Sequence, residues 1–240
     1  MHTTILLIKY SIKTTTIRTS ILSAILFVLS TANVWAESNN FKMFEPLDPT
    51  IINGKQYTFF VYNVEGHQYL NGQGFERGTM CIKGKTYHNQ LLRYDIYNQV
   101  LLLKFRDQFD AEKIIIVSDA WLTSFTIGSM KFELVENTDG KRKITQKIDG
   151  EGISIVFEWE KTLTLNASNG MYKFSEPIKG SYLIINGEKI KFNGNRSFAR
   201  AFGKENEKIV RKYLRQNRIK VKKVNDISLE KVIKHCKSFI

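Results

Sequence analysis

The sequence has few cysteines and histidines, and they do not cluster. There are two cysteines and four histidines in 240 residues. Beyond the N-terminal segment, His67, His88 and His235 are widely spaced, and none lies in an H-E-x-x-H pattern or beside a pair of cysteines. Zinc sites are built from ligands at such close spacings. The sequence therefore predicts no metal site, and it shows no pattern that would bind a cofactor.

Long apolar runs and alternating strand and helix patterns are also missing. A membrane-spanning helix needs about 20 predominantly apolar residues, and no run beyond residue 36 approaches that length. A parallel sheet needs a helix between successive strands, whereas the strand-like runs here follow one another directly. We therefore expect no transmembrane span after residue 36 and no doubly wound α/β fold.

Residues 1–36 have the pattern of a secretory signal peptide. Three basic residues precede a short apolar core at 21–29, and Val34-Trp35-Ala36 places small residues at the −3 and −1 positions of a cleavage site. A basic start, a short apolar core and a small-residue exit are typical of cleaved export signals. We expect export, with cleavage after Ala36. No cysteine follows directly, so a bacterial lipid anchor is not expected.

Residues 37–195 are predicted to form a β-rich domain in which basic and acidic residues balance. The apolar runs are short, rich in Val, Ile, Tyr, Phe and Thr, and broken by Asn-Gly or Asp-Gly pairs. The clearest hairpin joins 181–185 to 188–192 through Asn186-Gly187, a pair that tolerates the positive φ angles of a two-residue turn. Many short strands linked by tight turns predict a mainly β fold, either an antiparallel sandwich or a partly closed barrel.

Residues 196–240 are predicted to be a basic helical segment packed on that domain. They carry 14 of the 36 Lys and Arg residues against four Asp and Glu. From Phe198 to Arg218 the apolar period changes from two to about 3.6, which indicates an amphipathic helix. Ile219–Lys222 alternates like a short strand, and a second helix follows. Its apolar face is spaced i, i+3, i+4 and i+7, and consists of Leu229, Val232, Ile233 and Cys236. We therefore expect a short C-terminal helix-strand-helix appendage.

Five basic side chains are expected to align along the first of these helices. At about 100° per residue they fall within about 40° of one line. They are Lys204, Lys208, Arg211, Arg215 and Arg218. Such a row is either a solvated face that keeps a packed helix soluble or a docking surface for an acidic lipid, polysaccharide or protein. We expect no nucleic-acid partner, because an exported protein rarely meets one.

The two cysteines lie in different predicted elements. Cys81 falls in a strand-like run and Cys236 in the second helix. A disulfide between them would tie the basic segment to the β-rich domain in a compartment where disulfides persist. Two separate thiols, packed as small apolar side chains, fit the same sequence. The sequence leaves both arrangements open, because it does not show whether the two Cβ atoms meet.

Two segments resemble a known group of proteins. The run Gly84-Lys85-Thr86-Tyr87 with 92–101, and the ending from Phe202 through 212–214 to Val232-Ile233, are similar to uncharacterised secreted β-rich proteins of Bacteroidota. That group combines a signal peptide, a β-rich body and a short helical C-terminus, and no activity is assigned to it. The resemblance implies a bacterial source and a periplasmic or outer-membrane-associated location.

Three functions are compatible with these patterns. The leading hypothesis is a non-enzymatic cell-envelope protein that binds a protein partner or an anionic envelope surface. The first alternative is a β-barrel carrier of a small apolar ligand, which a closed barrel with an apolar cavity would favour. The second is a hydrolase with an unrecognised site, which titratable groups converging in a cleft would favour. Glu158 and Glu160 share a strand face, but a solvated face explains them better than catalysis does.

Overall fold

The computed structural model describes residues 48–59, 61–136 and 140–239, which are mainly antiparallel β-strands followed by helices. The mainly β fold class is thereby confirmed. The predicted signal peptide, residues 1–36, and the start of the predicted β-rich domain lie outside the described residues.

Fourteen strands are formed within the described residues. In chain order they are β1 (Gly54–Gln56), β2 (Val64–Glu65), β3 (Glu76–Ile82), β4 (Lys85–Asp95), β5 (Val100–Arg106), β6 (Glu112–Val117), β7 (Leu122–Ile127), β8 (Met130–Glu136), β9 (Arg142–Asp149), β10 (Ile153–Glu160), β11 (Leu163–Asn166), β12 (Met171–Phe174), β13 (Ile178–Ile185) and β14 (Glu188–Lys191). The predicted Asn186-Gly187 hairpin is confirmed: it joins β13 to β14, with φ angles of 50° and 84°.

Eleven strands form one antiparallel sheet in the order β1-β6-β5-β4-β3-β7-β8-β9-β10-β13-β14. A small second sheet has the order β11-β12-β2. β1 and β14 are the free edges of the large sheet, so the described strands do not close a barrel.

The first part of the large sheet curls, so that side chains on its inner face pack against one another. Strands of a sheet lie about 4.8 Å apart, so β4 and β8 would be about 14 Å apart if the sheet were flat. The ring centroids of Tyr94 on β4 and Phe132 on β8 are nevertheless 5.4 Å apart, and Phe125 on β7 stacks on Phe132 at 4.8 Å. We call β1, β3–β8 and the first residues of β9 the curled region.

Three helices cover the inner face of the remaining strands. They are α1 (Asn195–Arg200), α2 (Gly203–Gln216) and α3 (Asp226–Cys236), followed by a 3₁₀ turn at Lys237–Phe239. The end of β9, β10, β13, β14 and these helices form the helix-covered region, whose core includes Phe157, Phe192 and Phe198. The predicted apolar face of α3 is confirmed, because all four of its members are buried.

The basic segment differs from its predicted form in two places. The helix expected over Phe198–Arg218 is two helices, because Gly203 adopts a φ of 84° that turns the chain and lets both Phe198 and Phe202 enter the core. The short strand expected at Ile219–Lys222 is an irregular link instead. The side chain of Asn195, rather than a neighbouring strand, bonds two of its backbone groups.

The Asn195 contacts hold this link against the start of α1. Its Nδ2 donates to the carbonyl oxygen of Ile219 at 2.5 Å, and its Oδ1 accepts from the backbone N–H of Val221 at 3.0 Å. Both apolar residues of the link are buried. The link is therefore fixed although it has no regular structure.

Strand β9 belongs to both regions. Ile144 packs in the core of the curled region and Ile148 in the core of the helix-covered region. Gln146, between them on the same face, accepts a hydrogen bond from Trp159 Nε1 at 2.8 Å and donates to the Asp226 carboxylate at 2.8 Å. This buried amide joins the start of α3 to the boundary between the two cores.

Candidate anion-binding site

A cationic cleft of about 320 Å³ lies along α2, beside the first residue of α1. Four of its five lining residues are basic, and the fifth is the asparagine that holds the link. They are Asn195, Lys208, Arg211, Lys212 and Arg215. We call this surface the cationic cleft.

The position of the cleft follows from the side of α2 that is buried. Val210 and Leu214 are the buried residues of this helix, whereas Ile209 is exposed. At about 100° per residue, Lys208, Arg211 and Arg215 then lie roughly 80–140° around the helix from the buried face. The basic row therefore runs along the flank of α2, next to the body of the protein.

The structure brings together three of the five predicted basic residues. Lys208, Arg211 and Arg215 line the cleft, whereas Lys204 stands one turn earlier on the same helix and does not. Arg218 leaves the row because α2 ends at Gln216 and Arg218 has a φ of 53°. Lys212 was missed, although its spacing of four residues places it next to Lys208 on the surface of the helix.

Little negative charge compensates the cleft. Arg211 Nη1 lies 3.5 Å from Glu207 Oε1 one turn earlier. Lys208, Lys212 and Arg215 make no ion pair with any residue that the structure describes. Like charges three or four residues apart on a helix cost a few tenths of a kcal/mol each. A bound anion would relieve that repulsion, which gives the cleft a preference for negative ligands.

Two stacked rings dock α2 onto α3. The Tyr213 and His235 ring centroids are 3.7 Å apart with an interplanar angle of 10°, and Phe239 meets the other side of His235 edge-on. This contact orients the helix, so the cationic cleft rests on a packed element rather than on a loop.

A buried polar cluster that sequence analysis missed covers the outer face of β4. Asp95 is fully buried and accepts hydrogen bonds from Tyr57 Oη at 2.7 Å and from the backbone N–H groups of Tyr97 and Asn98. Gln68 donates to Tyr57 Oη at 2.7 Å, and burial raises the pKa of Tyr57 well above its ordinary value. Each of these polar groups has a hydrogen-bond partner, which indicates a structural role. The hydrogen bonds hold the segment before β3 against the sheet.

The predicted carboxylate pair is not arranged for acid–base chemistry. Lys143 Nζ lies 2.8 Å from one oxygen of Glu158, and Lys189 Nζ lies 2.6 Å from the other. Burial raises the pKa of Glu158, but these two lysines outweigh it and hold the pKa below its usual range. Glu158 is therefore an ion-paired carboxylate on the outer face. No cluster of three metal-ligating side chains occurs within the described ranges.

The two cysteines are free thiols and do not form the disulfide that the sequence left open. Cys81 is half-buried on β3, between Thr86 of β4 and Ser124 of β7, and its neighbours Met80 and Ile82 take the inward positions. Cys236 is fully buried beneath the helices. The two belong to different regions of the molecule, which is why they remain separate.

No protein-family model, curated protein or solved structure gives a significant match to the chain. Within the described residues, none of the helices combines the length and the apolar character that crossing a bilayer requires.

Proposed function

We propose that the protein is a non-enzymatic, exported envelope protein that binds an anionic membrane surface reversibly through the cationic cleft. The observation that carries this proposal is the convergence of four basic side chains on one cleft, with a single carboxylate partner among the described residues. The flank position of the basic row supports it, because a purely solvating face would be expected opposite the core.

The expected strength follows from the charge. Each Lys or Arg near an anionic membrane contributes up to about 1 kcal/mol. Arg211 shares its charge with Glu207, so the cleft contributes at most about 3–4 kcal/mol in total. Such binding is weak and reversible. It also falls with salt, because charges separated by more than about 10 Å are screened at 0.1 M ionic strength.

The proposed location rests on the N-terminal sequence. The signal-peptide pattern of residues 1–36 supports export, and the resemblance to secreted proteins of Bacteroidota supports the periplasm or the outer membrane. At the inner or outer membrane of such an envelope, a basic surface would meet acidic lipid headgroups. Sequencing the N-terminus of protein recovered from the envelope would test this, with Glu37 as the expected first residue.

Vesicle co-sedimentation tests the surface itself. The purified protein is mixed with phosphatidylcholine vesicles, with and without phosphatidylglycerol, at low and at high salt. We expect sedimentation with the anionic vesicles at low salt and release at high salt. Equal sedimentation with neutral and anionic vesicles would overturn the proposal.

A matched pair of variants separates geometry from net charge. K208E/R211E/R215E reverses three charges in the cleft, and K223E/K231E/K234E reverses three exposed charges elsewhere in the basic segment. We expect the first variant to lose binding to anionic vesicles and the second to keep most of it. Equal loss in both would mean that net charge, and not the cleft, attracts the surface.

A further inference from the structure

The curled region contains a second and larger cleft, which the cationic cleft does not touch. It has a volume of about 510 Å³ and lies between the β1, β6 and β5 side of the curl and the β8 and β9 side. We call it the seam cleft. Ligand sites for small molecules are commonly 300–1,000 Å³, apolar inside and polar at a few points.

The floor of the seam cleft is apolar and continuous with the core. Leu101, Val117, Leu122 and Ile144 are all buried, and Leu134 is partly buried against the same core. Their side chains pack in the cluster that holds the aromatic rings of β4, β7 and β8. The cleft therefore lies against the apolar core of the curl, and an apolar group bound there would lose contact with water.

The rim of the seam cleft is polar and carries more positive than negative charge. Arg142 at the start of β9 donates hydrogen bonds to the carbonyl oxygens of Asp119 and, at 2.8 Å, of Leu122, which fixes its guanidinium at the opening. Lys55 lies on the opposite side, on β1, and makes no ion pair within the part of the chain that the structure describes. Among the described residues, Asp119 is the one acidic residue that lines the cleft.

We infer that the seam cleft binds a small amphipathic monoanion. The apolar body of the ligand occupies the floor between Leu122 and Leu134, and its anionic group lies at the rim near Lys55 and Arg142. A medium-chain carboxylate has this chemistry. The described strands do not close a barrel, so a ligand enters through the opening between β1 and β9 rather than through a barrel mouth. This inference does not depend on the proposed membrane binding.

A fluorescent probe of the same chemistry tests the site. Anilinonaphthalene sulfonate combines an apolar ring system with one anionic group, and its emission rises in an apolar site. We expect saturable binding of one probe per protein, with displacement by decanoate, weaker displacement by decanol and none by acetate. Absence of saturable binding would overturn the inference, and equal displacement by decanol and decanoate would overturn the role of the rim charges.

Substitutions on one strand give a matched control for position. Leu134 lines the cleft, whereas Val135 is exposed on the other face of β8. We expect Leu134→Trp to fill the cleft and weaken probe binding by about tenfold or more, and Val135→Trp to leave it unchanged. A tenfold change corresponds to about 1.4 kcal/mol. Equal effects of the two variants would place the probe elsewhere.

A surface substitution keeps the test valid if Leu134→Trp does not fold. Lys55→Gln should weaken decanoate binding by about fivefold and leave decanol binding unchanged, because one rim charge contributes about 1 kcal/mol. The control Lys191→Gln, on the other edge strand, should change neither. The variant K208E/R211E/R215E should still bind the probe, and loss of binding there would assign the probe to the cationic cleft instead.

Discussion

The two regions of the large sheet cover their apolar inner faces in different ways. In the curled region the sheet bends until aromatic side chains from β4, β7 and β8 meet one another. In the helix-covered region the sheet stays open and three helices from the C-terminal segment cover it. One part of this antiparallel sheet thus buries its inner face against its own strands, and the other part buries it against helices.

The difference follows from the side chains on each inner face. Tyr94, Phe125 and Phe132 are bulky enough to fill the curl without a second layer. On β10 the inward residues Ile153, Ile155 and Phe157 form a broad apolar surface. Phe157 meets Phe192 after β14, which in turn meets Phe198 on α1, so the rings of this core come partly from the helices. Burying one such side chain contributes about 1.5–3 kcal/mol, so this surface needs the helices.

The largest expected effect tests whether the two cores unfold together. Phe132→Ala and Phe198→Ala each remove a fully buried ring, one from each core, and should each cost about 3–5 kcal/mol. Because β9 contributes to both cores, we expect each variant to show one urea transition, shifted to lower concentration. The measurement is near-UV circular dichroism compared with tryptophan fluorescence. Two separate transitions would show that the regions are independent.

Smaller effects are expected at two glycines that allow close approach. An added Cβ at Gly78 of β3 would lie 2.0 Å from the backbone oxygen of Thr126, and one at Gly150 would lie 2.2 Å from Cγ2 of Ile233 on α3. A side chain can move aside more easily than a paired strand. We expect Gly78→Ala to cost about 3 kcal/mol and Gly150→Ala about 1–2 kcal/mol in chemical denaturation.

The matched control for both is Gly74→Ala, because no described residue other than its chain neighbours has an atom within 4 Å of the added Cβ. It should stay within about 0.5 kcal/mol of the parent. A Gly150→Ala variant as unstable as Gly78→Ala would mean that α3 cannot shift on the sheet at all.

The boundary between the regions should respond to pH. Burial raises the pKa of Asp226, and the hydrogen bonds from Gln146 oppose that rise. A raised carboxyl pKa favours the folded state at low pH, and this advantage is lost as pH rises through the folded-state pKa. Gln146→Leu removes the hydrogen-bond partner of both Trp159 Nε1 and the Asp226 carboxylate. It should lower the free energy of unfolding by about 1–3 kcal/mol at pH 7, and by less at pH 3.5. Urea unfolding at both pH values measures this, and an equal cost would contradict the coupling.

The two thiols should differ in reactivity without any change in stability. Cys81 is half-buried in the curled region, whereas burial raises the pKa of the Cys236 thiol to about 12. A thiol reacts as its thiolate, so a disulfide reagent should label Cys81 in native buffer and Cys236 only when urea unfolds the protein. The control Cys81→Ser should lose the native-state label alone. Labelling of both thiols at one rate would contradict the tight packing of α3.

Local chemistry was predictable from the sequence, and long-range pairing was not. The Asn186-Gly187 hairpin and the buried face of α3 follow from turn chemistry and from a period of about 3.6, which neighbouring residues set. Strand β3 pairs with β7, and Cys81 lies opposite Ser124, which is 43 positions later in the chain. Strands β4, β5 and β6 lie between them in the sequence. No local pattern encodes that choice, so the curl and the seam cleft were not predicted.

The candidate site was predicted in part for the same reason. The basic row was visible because it repeats along a helix. The basic residues that line the cleft differ from the predicted row for two reasons. The helix ends at Gln216, and the burial of Val210 and Leu214 sets which side of the helix faces the core. The polar cluster around Asp95 was invisible in the sequence, since its partners come from segments that only the fold brings together.

The open sheet has two free edges, and their shortness affects association with other chains. β1 has three residues and β14 has four, the shortest strands of the large sheet. β14 also carries Glu188, Lys189 and Lys191. Unpaired edges recruit strands from other molecules, and short, charged edges resist this. An eleven-stranded sheet that does not close therefore offers little backbone for edge-to-edge aggregation.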